Sequence, residues 1–102
     1  MKYDKLVRGK IPQIIERTGK KAVYRILTET EYKEYLEKKL DEEVAEFHES
    51  KSIEELADIY EVLVALIAVN GASYTEFRQI LDSKREKCGG FEKRICLVEV
   101  EE

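Results

Sequence analysis

Hydrophobic positions recur with a helical period over three long stretches of this chain. Leu36, Leu40, Val44 and Phe47 mark one core-facing side, and the capping box Thr28-x-x-Glu31 predicts that their helix opens there and runs to about Ser50. The next stretch, Ile53 to Val69, is apolar on two sides. At about 100° per residue, Ile53, Leu56, Ala57, Tyr60, Leu63, Val64 and Ile67 form one stripe. Ile59, Val62, Ala65, Leu66 and Val69 form a second stripe opposite, and Glu54 and Glu61 share the strip that remains. Ser52-x-x-Glu55 opens this helix and Asn70-Gly71 should close it. Ser73-x-x-Glu76 opens a third long helix ending near Gly89-Gly90. Pro12 suits the first turn of a short helix, with Gly19 as its stop. Two segments read differently: Lys21 to Leu27 as a short strand, and the tail from Lys93 to Val100 as β-like. Pairing of the two would add a small two-stranded appendage. The expected architecture is one all-α-dominated domain over residues 1–102, with short β segments near both ends.

Acidic residues break the apolar pattern in one place. Glu43-x-x-Glu46 and Glu55-x-x-Asp58 each have i, i+3 spacing, so each pair projects from one side of its helix. Eight residues separate Glu46 from Glu55, which suits a tight connection between antiparallel helices. Such a hairpin would bring four carboxylates to one level. Glu55 and Asp58 fall on the second apolar stripe, where bare carboxylates are costly unless neutralised, paired or metal-bound. Glu43 lies at the edge of the preceding helix's core side, with Glu46 and Glu42 further round. Hard divalent cations such as Mg2+ prefer oxygen ligands and suit this set. Two plainer readings compete. The acids could be a solvated face, and Glu55 could be the capping-box partner of Ser52. The cap accounts for Glu55 but not for Asp58.

Charged residues make up 39% of the 102-residue chain and its net charge is −4, which disfavours nonspecific nucleic-acid binding as the main role. The run from Val62 to Val69 is too short to span a bilayer, and MKYDKLVRGK lacks a signal-peptide core. Cys88 and Cys96 have neither CxxC spacing nor a disulfide framework, so reduced cysteines and a cytoplasmic location are expected. A chain of this size buries a modest core alone. Two apolar sides on one helix therefore point to a homo-oligomer, a dimer or higher.

A carboxylate site loaded with Mg2+ suits phosphoryl or nucleotidyl chemistry, in which the metal neutralises phosphate charge and activates water. Further cations would hold the remaining phosphates. They concentrate at the two chain ends: Lys5, Arg8 and Lys10, then Lys84, Arg85, Lys87, Lys93 and Arg94. Arginine forks fit phosphate geometry; the competing reading is solubilising charge at helix ends. His48, the only histidine, is expected at the surface, which leaves no Ser/His/Asp triad to argue. There is no Walker or dinucleotide-binding glycine motif.

Leu40-Asp41-Glu42-Glu43-Val44-Ala45-Glu46 followed by Glu54-Glu55-Leu56-Ala57-Asp58-Ile59 resembles the EExxE…ExxD signature of the all-α nucleoside triphosphate pyrophosphohydrolases, the MazG-like superfamily. The ends resemble its small house-cleaning, phosphoribosyl-ATP pyrophosphohydrolase-like members. Here they read Lys5-Leu6-Val7-Arg8-Gly9-Lys10-Ile11-Pro12 and Gly89-Gly90-Phe91-Glu92-Lys93-Arg94-Ile95. The resemblance implies a helical bundle completed by oligomerisation. It also implies Mg2+-dependent hydrolysis of a nucleoside triphosphate, canonical or non-canonical, to monophosphate and pyrophosphate, with Mn2+ able to substitute. By position Glu43, Glu46, Glu55 and Asp58 match the metal ligands. Glu42 matches an adjacent acid that ligates or positions water, so Glu42 and Glu43 are the expected catalytic acids. Lys5, Arg8, Lys84, Arg85 and Arg94 are the expected phosphate contacts. Gly9 stands where relatives usually carry Asp, and the spacer between the acid pairs is shorter than in much of the superfamily, leaving less room for a base-recognising loop. Phosphoribosyl-ATP hydrolysis and a non-catalytic helical interaction module are the alternatives.

Overall fold

The computed structural model describes residues 2–102. Its element order is α1 (Ile11–Arg17), α2 (Glu29–Ser50), α3 (Ile53–Val69) and α4 (Tyr74–Cys88). Pro12 sits in the first turn of α1, and Gly19 follows that helix at φ 87°. At the start of α2 the Thr28 hydroxyl accepts from the Glu31 amide while Glu31 accepts from the Thr28 amide, so the box closes in both directions. Ser73 and Glu76 do the same for α4. Each closed box satisfies orphan N–H groups that would otherwise fray the first turn.

Lys51 and Ser52 alone join α2 to α3. Lys51 takes a left-handed conformation, φ 55°, and donates its amide to the Phe47 carbonyl at 2.8 Å. That reversal lays α3 along α2 as an antiparallel hairpin, the principal packing in the molecule. The second stripe of α3 faces α2: Val62 is buried and Ile59, Ala65, Leu66 and Val69 are half-buried. The first stripe is left outward, with Ile53 75% exposed and Leu56, Tyr60 and Leu63 also exposed. α4 leaves the hairpin at a bend of 110° and packs only on α3, where the Tyr60 and Tyr74 hydroxyls share a hydrogen bond.

Among the described residues only Leu36 and Val62 are buried apolar side chains, and Glu43 is the one buried charged residue. The radius of gyration is 18.2 Å, against about 13 Å for a compact chain of this length. The accessible surface is 9344 Å², where a compact monomer of this mass exposes about 6,000 Å². No single helix among the described residues is long and apolar enough to cross a membrane.

The expected β segments do not form. Among the described residues there is no strand, and no hydrogen bond joins residues 21–27 to the tail. Strand chemistry needs a partner edge, and α4, which precedes the tail, does not touch α2, which follows residues 21–27.

Candidate metal centre

The hairpin brings the two acid pairs together. Ligand oxygens of Glu42, Glu43 and Glu46 lie within 4.8 Å of one another, and so do those of Glu43, Glu55 and Asp58. Glu43 belongs to both groups. Expected at the edge of the core side, it is instead central: only 6% is exposed, one residue past the level of Glu42 on the packed face of α2.

Glu55 is not a capping-box partner. Ser52 accepts from the Glu55 amide at 3.3 Å, but no reciprocal bond returns from the Glu55 carboxylate to the Ser52 amide. That carboxylate turns instead into the acid cluster. Its Oε2 is buried with no hydrogen-bond partner, and so is Oε2 of Glu43. Desolvation, and then the Glu43 carboxyl beside it with Glu46 and Asp58 nearby, pushes Glu55 up to about 7. Glu46 is raised as well, by desolvation and then by Glu43 and Glu42. The two Oε2 atoms thus face the acid cluster with no donor against them.

Cations compensate the group from its sides, and Lys39 reaches one oxygen of the central Glu43. Lys39 Nζ lies 3.2 Å from both Glu42 Oε2 and Glu43 Oε1. Lys5 Nζ donates to Glu42 Oε1 at 2.9 Å. Desolvation alone would raise Glu42, but these two ammonium groups outweigh it and hold its carboxyl below the ordinary value. Arg8 Nη2 donates to Asp58 Oδ1 at 2.7 Å, and Nη1 lies 4.0 Å from Glu61 Oε1. The N-terminal arm is further held by the Tyr35 hydroxyl, which donates to Asp4 at 2.8 Å. Lys5 and Arg8 therefore reach the acids, 37 and 50 residues away along the chain.

The C-terminal cations do not. α4 makes no contact with α2, and among the described residues Lys84, Arg85 and Arg94 form no ion pair with the cluster. Lys84 instead lines an open cleft along α4 with Glu76, Ile80 and Lys87. His48 is exposed, as expected. Lys39 escaped the sequence reading as a site residue. Its signal was present in the i, i+3 and i, i+4 steps to Glu42 and Glu43, which put an ammonium over both carboxylates.

The donor set fits a hard divalent cation. All its ligand atoms are carboxylate oxygens, two are buried and unpartnered, and their mutual repulsion is what a bound cation relieves. Comparison with protein-family models, with curated proteins and with solved structures finds no match.

Proposed function

We propose that Glu43, Glu46, Glu55 and Asp58 hold Mg2+, or Mn2+ in its place, and that the protein hydrolyses a nucleoside triphosphate to monophosphate and pyrophosphate. The observation that carries this reading is the pair of buried, donorless carboxylate oxygens on Glu43 and Glu55, inside a cluster drawn from both helices. A solvated acidic face would not bury them, and a capping role would have drawn Glu55 back to Ser52. The motif resemblance at the acids and at both chain ends supplies the substrate class.

When bound, the metal neutralises phosphate charge and lowers the pKa of the attacking water. The chain's residues do the rest. Glu42, kept ionised by Lys5 and Lys39, orients the water's hydrogens so that its oxygen faces the α-phosphorus. The water oxygen bonds to that phosphorus and gives up a proton through the Glu42 carboxylate to solvent, while the bond from the phosphorus to the α–β bridging oxygen breaks and pyrophosphate leaves. Arg8 lies against Asp58 through one nitrogen of its planar fork, so it is placed to turn onto the phosphates beside the acids. Lys84, Arg85 and Arg94 reach the same phosphates only from another protomer. We take the working molecule to be a homo-oligomer, which the outward stripe of α3 and the large accessible surface support.

The test is a pyrophosphate-release assay over canonical nucleotides, damaged nucleotides and phosphoribosyl-ATP, with and without Mg2+. Metal-dependent release from at least one triphosphate is expected. Exclusive turnover of phosphoribosyl-ATP would select that alternative, and no turnover together with no Mg2+ or Mn2+ binding would favour the interaction module.

A further inference from the structure

The two apolar segments outside the helices are chemically matched to each other. Residues 20–27 belong to no helix, with Val23 88% and Ile26 86% exposed. The tail is equally bare: Ile95, Leu97, Val98 and Val100 are all exposed. Among the described residues, no backbone group of 20–27 or 95–102 enters a hydrogen bond. Exposed apolar side chains beside an unpaired backbone are what strand addition consumes.

Charge selects direction. Segment 20–25 carries Lys20, Lys21 and Arg25, the last also paired with Glu31 at 3.1 Å, and no acid; the tail from 95 carries Glu99, Glu101 and Glu102 and no cation. A parallel arrangement would leave the acids beyond Leu27, away from the lysines. An antiparallel one overlays them. Placing Arg25 opposite Glu99 puts Tyr24 against Val100 and Ile26 against Val98 on one face. The other face then holds Arg25–Glu99 and Leu27–Leu97, with Val23 opposite Glu101 and Lys21 diagonal to that acid. A slip of one residue sets Tyr24 against Glu99 and Arg25 against Val98; a slip of two keeps each residue on its face, setting Lys21 against Glu101 and Arg25 against Leu97. Direct cross-strand pairs, charged and apolar, are what fix such a register.

We propose that residues 97–102 add as an antiparallel strand to residues 22–27 of a second copy of this chain. The chain's own segment is not the partner, because α4 bends away by 110° and does not touch α2. A two-fold dimer repeats the exchange, so each copy gives one tail and receives one. An isolated two-stranded ribbon is marginal in water. Here it is reinforced by its repeat and by the outward stripe of α3, which the same partner can cover. The proposal does not depend on the acids or on what they bind.

The experiment uses the full chain with Cys88→Ser and Cys96→Ser as background. Ile26→Cys and Val98→Cys chains, one of them tagged, are co-expressed and oxidised with diamide. A covalent tagged–untagged dimer is expected, in excess of that from Arg25→Cys with Val98→Cys, where the side chains lie on opposite faces. Both substitutions placed in one chain should also yield covalent dimer. A looped monomer from that double variant, or no excess over the out-of-register pair, overturns the proposal. Separately, Val98→Asp with Val100→Asp lies outside every helix and leaves the fold intact. It should weaken self-association about tenfold in sedimentation; unchanged association would also overturn the proposal.

Discussion

At the residue scale the decisive atoms are two carboxylate oxygens that no donor reaches. With Glu55 raised from an ordinary 4.5 to about 7, the folded protein binds more protons than the unfolded chain between those values. Stability of the metal-free protein therefore falls as pH rises through that window and levels off above it. Glu31, held down to about 2 by Arg25 and the Thr28 amide, acts at lower pH and leaves the window clear. Thermal melts from pH 4.5 to 8 should show the decline, and Glu55→Gln or saturating Mg2+ should flatten it. A wild-type melt independent of pH would contradict this. Arg8→Ala should raise KM or lower kcat for the triphosphate with metal affinity little changed, and Arg8→Lys should rescue only in part, because the planar fork is lost. The convergence of the acids was legible because i, i+3 spacing fixes a face. The central place of Glu43 was not, since it depends on how α3 lies across α2.

At the element scale, local chemistry carries most of the fold. Thr28 with Glu31, Ser73 with Glu76, and Pro12 with Gly19 set helix ends within a residue or two of expectation. Ser52 differs because its Glu55 is diverted to the cluster. Ser52→Ala should thus lose a single cap bond and cost about 1 kcal/mol in denaturant melts. Thr28→Ala, which opens a closed box, should cost at least as much. Equal stability of Ser52→Ala and wild type would remove the cap from the account. Helix phase also showed that α3 has two apolar sides, but not which one α2 would take. The strands failed for a related reason: alternation marks a segment able to pair, while the partner edge is a property of the assembly.

At the scale of the whole molecule, the described residues bury only two apolar side chains in an elongated shape, and the proposed partner would complete that packing. Light scattering at micromolar concentration should give at least a dimer, and Leu63→Asp on the outward stripe should shift it toward monomer. A stable wild-type monomer would sever the link between α3 and assembly. The direction of α4 was beyond the sequence, and with it the placement of Lys84, Arg85 and Arg94. The N-terminal cations were closer to hand, because Lys5 and Arg8 lie on an arm long enough to reach the acids. The proposed metal-dependent hydrolysis is tested most directly by pyrophosphate release from wild type, Glu46→Gln and Asp58→Asn measured side by side with Mg2+. It predicts metal-dependent release by the wild type and near-complete loss in both variants, each still helical. Equal release by all three, or none by the wild type on any triphosphate, would contradict it.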